Sequence, residues 1–125
     1  MIVGLSNFNL KKVDEVIKMY SNKESQEFFT AILGYFNFNK NQYKYFVRFN
    51  FKEISLDIFI KFLLDVEIMN NNEKIVFKKG EEIKIGRSEK NNLEKMEKNK
   101  KKVKLNVIST SLSSDNNYIQ LLYER

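Results

Sequence analysis

A chain of 125 residues, 42% of them hydrophobic, is long enough to bury one core without disulfides or metal. It contains no histidine and no cysteine, which removes the usual zinc ligands and closes serine–histidine and cysteine–histidine catalysis. The formal net charge is +6, and all of it lies between Lys78 and Lys104, where eleven basic residues accompany five glutamates.

The chain opens on a short buried strand, Met1 to Leu5, and turns polar too soon for an apolar leader. Asn9 caps a helix whose apolar face is Leu10, Val13, Val16, Ile17 and Tyr20. Ser21 to Glu24 reads as a capping box opening a second helix, with Phe28, Phe29, Ile32, Leu33 and Phe36 inward and Gly34 near its end. Tyr43 to Phe51 is the clearest strand: Tyr43, Tyr45, Val47, Phe49 and Phe51 share one face, and Lys44, Phe46, Arg48 and Asn50 the other.

Ser55 and Asp57 then start an apolar helix running from Leu56 to about Val66, with Asp57 placed for the helix dipole. Asn70 to Asn72 form a loop. Ile75 to Phe77 and Ile83 to Ile85 make a hairpin across Lys79-Gly80. Ser88 caps a polar helix to about Lys102, anchored by Leu93 and Met96 alone. Val103 to Ser109 and Tyr118 to Glu124 form a last hairpin, joined by the polar segment Thr110 to Asn117. The whole is one α+β domain, residues 1–125, with a mostly antiparallel sheet of about five or six strands and two or three helices on one face.

Several short motifs fall away on inspection. Gly80 to Ser88 has five residues between its glycines and arginine where a phosphate loop needs lysine. Gly86-Arg87 and Ser113 to Asn116 resemble two motifs of forkhead-associated domains, but asparagine stands where that family has histidine, and no phosphothreonine reading follows. Phe46 to Phe49 is similar to the tail of the aromatic strand of RNA recognition modules, in the wrong element order. Glu82-Ile83-Lys84 matches a nuclease triplet that still needs a converging carboxylate, Asp65 and Glu67 being the upstream candidates. Ser113 to Asp115 is a turn.

Charge then carries the functional expectation. The reading is a non-enzymatic, cytoplasmic binding protein without cofactor or metal, whose basic segment engages nucleic acid or a ribonucleoprotein. Arg87, Lys98, Lys100, Lys101, Lys102 and Lys104 would neutralise phosphates, and Phe46 and Arg48 would stack on bases. An acidic protein surface is a further possible partner; no membrane is expected. Two alternatives stand beside it. One is an inhibitor of a host defence nuclease, encoded by a phage or mobile element. The other is capture of a phosphate-bearing nucleotide by Arg87 with Arg48 or Arg125.

Overall fold

The computed structural model describes residues 2–100 and 106–124. Its strands are β1 (Ile2–Ser6), β2 (Tyr43–Asn50), β3 (Ser55–Phe62), β4 (Val66–Asn70), β5 (Glu73–Phe77), β6 (Glu82–Glu89), β7 (Asn106–Leu112) and β8 (Tyr118–Glu124). Its α-helices are α1 (Val13–Tyr20), α2 (Lys23–Thr30) and α3 (Leu93–Lys100), with 3-10 segments at Leu10–Lys12 and Ala31–Phe36. The fold is α+β. The described strands number eight rather than five or six, and they divide among three antiparallel sheets: β2-β3-β6, β1-β8-β7 and the β4-β5 hairpin.

The central sheet is organised by β3, which lies between β2 and β6. Leu56, Ile58, Ile60 and Phe62 are all buried. Leu56 meets Val13 and Val16 of α1 and Phe49 of β2 in one cluster. Ile60 and Phe62 meet Leu33, from the 3-10 segment, and Val66 in another. The helix expected from Leu56 to Val66 is therefore a strand followed by a turn into β4. A short apolar run does not distinguish a buried strand from a helix by hydropathy alone. Here the alternate spacing of the four buried residues, with Asp57, Phe59 and Lys61 between them, is the strand period.

Strand pairing departs from expectation as well. β5 pairs with β4, not with β6, through a turn in which Asn71 and Asn72 have φ of 49° and 66°. Two successive positive φ values are the signature of the hairpin turn that asparagine tolerates best among residues with a side chain. β6 instead pairs antiparallel with β3. Gly80 (φ 87°) still turns the chain between β5 and β6.

Two helix starts also move. The α2 cap is Asn22, whose side chain accepts from the Ser25 N–H at 2.8 Å, while Ser21 Oγ donates back to the Ile17 carbonyl. The α3 cap is Asn92, accepting from the Lys95 N–H at 2.8 Å; Ser88 belongs to β6. Asn9 does cap the first turn, accepting from the Lys11 N–H. On α2 and the segment after it, Leu33 is buried as expected. Phe28, Ile32 and Phe36, expected inward, are exposed: the α-to-3-10 change at Ala31 shifts the phase of Ile32 and Phe36, while Phe28 lies on the outer side of α2 with its ring edge-on to Phe29.

The terminal sheet has its own smaller core, Ile119 and Leu121 of β8 against Met96 of α3. The last hairpin pairs β7 with β8 as anticipated, though β7 extends to Leu112. Its expected first residues, Val103 to Leu105, lie outside the described residues. The connection at Ser113–Asn117 is held by Asp115, which accepts from the Ser113 hydroxyl and the Asn117 amide; those bonds bring its carboxyl down to about 2. No helix among the described residues is long and apolar enough to cross a membrane.

Candidate functional site

The face of the central sheet away from the helices carries a compact group of charged side chains. Register places three cross-strand rows there: Lys44–Lys61–Glu82, Phe46–Phe59–Lys84 and Arg48–Asp57–Arg87. Arg87 shares this face with Lys84 because of the register shift at Ile58/Phe59, where Ile85 is the extra residue on β6. Strict alternation would have put Arg87 on the helix side. The bulge also brings Gly86 under α2. A Cβ there would lie 3.1 Å from the Phe29 ring and 3.3 Å from Ile58, so any larger residue would press on both side chains.

Asp57 is the centre of the face, 4% exposed. One carboxylate oxygen accepts from Arg87 Nε at 2.8 Å, the other from Lys84 Nζ at 3.0 Å. Ser55 Oγ donates at 3.2 Å and Asn50 Nδ2 at 3.5 Å. Burial pushes the Asp57 carboxyl up, but hydrogen bonds from Arg87, Lys84 and Asn50, with the Arg87 charge, outweigh it and hold it at about 2. A buried carboxylate with this many donors is a satisfied structural knot.

Those expected site residues that are described make contacts within the chain. Arg87 serves Asp57. Arg48 pairs with Glu82 at 3.4 Å, and its guanidinium lies 5.3 Å from the Phe46 ring centre and 5.1 Å from that of Phe59. The two rings stack on each other at 5.3 Å. Phe46 and Arg48 do come together on the open face, but the ring faces are engaged within the chain rather than offered to a base. Lys98 makes an exposed pair with Glu94 at 2.8 Å, an ordinary contact one helical turn apart. The Lys100 side chain and Lys101, Lys102, Lys104 and Arg125 lie outside the described residues. Of the triplet Glu82-Ile83-Lys84, the two charged members go to Arg48 and Asp57. Among the described residues no three histidine, cysteine, aspartate or glutamate side chains converge as metal ligands.

A concave site lies elsewhere, at the seam between the central and terminal sheets. The strand end of β1, the start of α1, the end of β6 and the start of β8 enclose a cleft of about 800 Å3. That is within the range of small-molecule sites. One backbone hydrogen bond crosses the seam, from the Phe8 N–H to the Asn91 carbonyl at 2.6 Å, while the Asn7 N–H extends the β1–β8 ladder by donating to the Asn117 carbonyl at 2.7 Å. The lining is mixed in sign, with Lys12 and Lys90 beside Glu15 and Glu89. Phe8, Met19 and Tyr118 supply apolar surface, and Asn91 adds an amide.

Lys90 is held in place by Ser88 Oγ at 2.9 Å and sits 5.1 Å from the centre of the Tyr20 ring. The Tyr20 hydroxyl is lowered from its usual range chiefly by its hydrogen bond with Ser88, against burial, with the Lys90 charge assisting. Glu89 takes Lys95 at 3.4 Å. Sequence reading missed this cleft because its residues come from four separate chain segments. Only the polar steps after β1 and β6 mark them in the sequence.

The pattern of one protein family, described as histidine-specific methyltransferase, SAM-dependent, matches residues 6–125. Among curated proteins none matches the chain. The family match overturns the expectation of a non-enzymatic protein that binds nucleic acid, inhibits a defence nuclease or sequesters a nucleotide. Absence of histidine and cysteine closed serine–histidine and cysteine–histidine catalysis, but a methyl transfer requires neither a histidine nor a cysteine in the protein, since the acceptor nitrogen is itself the nucleophile. By its sequence, this chain belongs to the family of histidine-specific, SAM-dependent methyltransferases.

Proposed function

We propose that the chain serves the methylation of histidine, and that the cleft at the seam of the two sheets receives the histidine. Free histidine at neutral pH carries a carboxylate, an ammonium and a flat polar ring. A site for it needs both signs of charge and a surface for the ring. The observation that carries the reading is the presence of both in one concavity: Lys12 and Lys90 for the carboxylate, Glu15 and Glu89 for the ammonium. Tyr118 and Met19 flank a space for the ring, with Asn91 as a partner for its nitrogens.

The role of these residues is to bind and orient. The nitrogen that takes a methyl group must present a lone pair, so its proton has to be accepted and its direction fixed. Glu15 and Glu89 are the acceptors in reach of such a nitrogen. Lys90 is pre-positioned by Ser88 and Tyr20, which lowers the ordering cost of using it. Exposed ion pairs contribute little each, so affinity is modest, with a Kd of about 0.1–1 mM.

Calorimetric titration with L-histidine tests this. Saturable one-to-one binding in that range is expected, weakened about fivefold or more by Glu15→Gln, with Lys61→Ala on the far sheet face leaving it unchanged. Absence of binding at 10-fold the upper Kd, about 10 mM, overturns the reading.

A further inference from the structure

Resting on the reading of the cleft as a histidine site, we infer that it also takes histidine as the first residue of a peptide. The residues that follow lie as an added strand along the free edge of β1. Among the described residues β1 pairs only with β8 and so ends the terminal sheet. In an antiparallel pair, residues turn their N–H and C=O groups alternately toward the partner and away from it. Asn7, just after β1, donates its N–H to the Asn117 carbonyl on the β8 side. Counting back by two, Leu5 and Val3 turn their backbone groups to β8, so Gly4 and Ser6 turn theirs to the outer edge. Both are exposed, and among the described residues neither finds a backbone partner there.

That edge opens into the cleft. Residues 4 to 9 line it in unbroken succession, whereas a strand presenting one face would contribute every second residue. Lys12, Glu15, Val16 and Met19, at the spacing of one helix side, form a further wall. A Cβ at Gly4 would have nothing within 4 Å, so β1 leaves room for a neighbouring strand. Charged side chains and bulges are the usual guards of an outer strand. β2 carries Lys44 and Arg48, β6 carries Lys84 and Arg87, and β7 has its bulge at Ile108. β1, with the sequence IVGLS, has neither guard.

Direction follows from the charges. Phe8, two residues beyond β1, bonds Asn91, so Glu89 and Lys90 lie past the C-terminal end of β1. Lys12 and Glu15, at the start of α1, are reached from that same end. A peptide with histidine among these charges runs back along β1 toward Ile2. With histidine first it runs antiparallel to β1; with histidine last it runs parallel, the weaker pairing per residue. Histidine first also keeps its ammonium for Glu15 and Glu89. The carboxylate it gives up costs only an exposed pair with lysine, a small loss. In exchange, Gly4 and Ser6 offer the peptide backbone hydrogen bonds that do not depend on its side chains. The cleft, about 800 Å3, has the size of a site for a drug-sized ligand rather than a single amino acid.

Calorimetric titration of the full chain compares three probes. They are L-histidine, a pentapeptide amide that begins with histidine and continues with alternating threonine and valine, and its acetylated counterpart with histidine last. The histidine-first peptide is expected to bind about fivefold or more tighter than either other probe. Ser6→Pro removes an outward N–H that β8 does not use, and should abolish that advantage. Methylating the backbone nitrogens of the peptide should abolish it with the protein unaltered. A ratio to L-histidine below about fivefold overturns the inference and leaves the histidine reading intact. So does tighter binding with histidine last, or an advantage that survives backbone methylation. If L-histidine itself fails to bind, the reading of the cleft falls, and the methylated peptide alone decides whether the edge of β1 is used.

Discussion

The central and terminal sheets have three strands each, yet they use their faces differently. The central sheet buries Leu56, Ile58, Ile60 and Phe62 under α1, α2 and the 3-10 segment, and its other face is closed by charge around Asp57. The terminal sheet buries Ile119 and Leu121 against α3 and leaves Ile108, Leu112, Tyr118 and Leu122 exposed on its strands. Stability is therefore concentrated in the centre. The cleft takes its chemistry from neither core but from chain segments that end where the two sheets meet. Loops on a rigid scaffold are the usual place for binding chemistry.

The largest test of that contrast is a pair of truncations. Phe62→Ala removes a fully buried ring from the central cluster and is expected to cost about 4 kcal/mol. Leu121→Ala in the smaller terminal core is expected to cost about 2–3 kcal/mol. Urea denaturation of both variants checks the ordering. Equal losses would show that the two sheets share one cooperative core of uniform density.

Next comes the charged face. Asp57 sits at about 2 against an ordinary 3.8, so its stabilisation is complete above about pH 4 and is lost as pH falls toward 2. The shift corresponds to about 2 kcal/mol. Asp57→Asn should lower stability by about 2–3 kcal/mol at neutral pH and flatten the acid limb of the stability curve. A variant that keeps the acid limb would place that proton uptake elsewhere. Smaller still is Gly86→Ala, which presses a methyl group against Phe29 and should cost about 1–2 kcal/mol. Thermal melts detect a loss of that size, and an unchanged midpoint would mean that α2 yields freely.

How much of this was legible beforehand varies by region. The β2 faces were legible from Tyr43 to Asn50, where Tyr43, Tyr45, Val47 and Phe49 alternate with Lys44, Phe46 and Arg48, but Phe51, placed on the same inward face, lies beyond the strand and is exposed. β3 was misread because nearly every position from Leu56 to Phe62 is apolar, and Asp57 looked like a helix-start residue. Its true neighbours, Arg48 and Arg87, are set by register and by a bulge, neither of which leaves a local mark. The positive charge was visible in the sequence, but its meaning was not: Arg87, Lys84 and Lys98 are each taken by a carboxylate of the same chain. The cleft could not be foreseen, since Glu15 and Glu89 are brought to one cavity only by the closing of the seam.

The most direct test of the account maps where histidine lands. Backbone amide resonances of the isotope-labelled chain, followed during an L-histidine titration, should shift at residues 7–9, 15–19, 89–91 and 117–118, and stay fixed along β2 and the first half of β3. Shifts centred on Phe46, Arg48 and Lys84, with the seam unmoved, would contradict it.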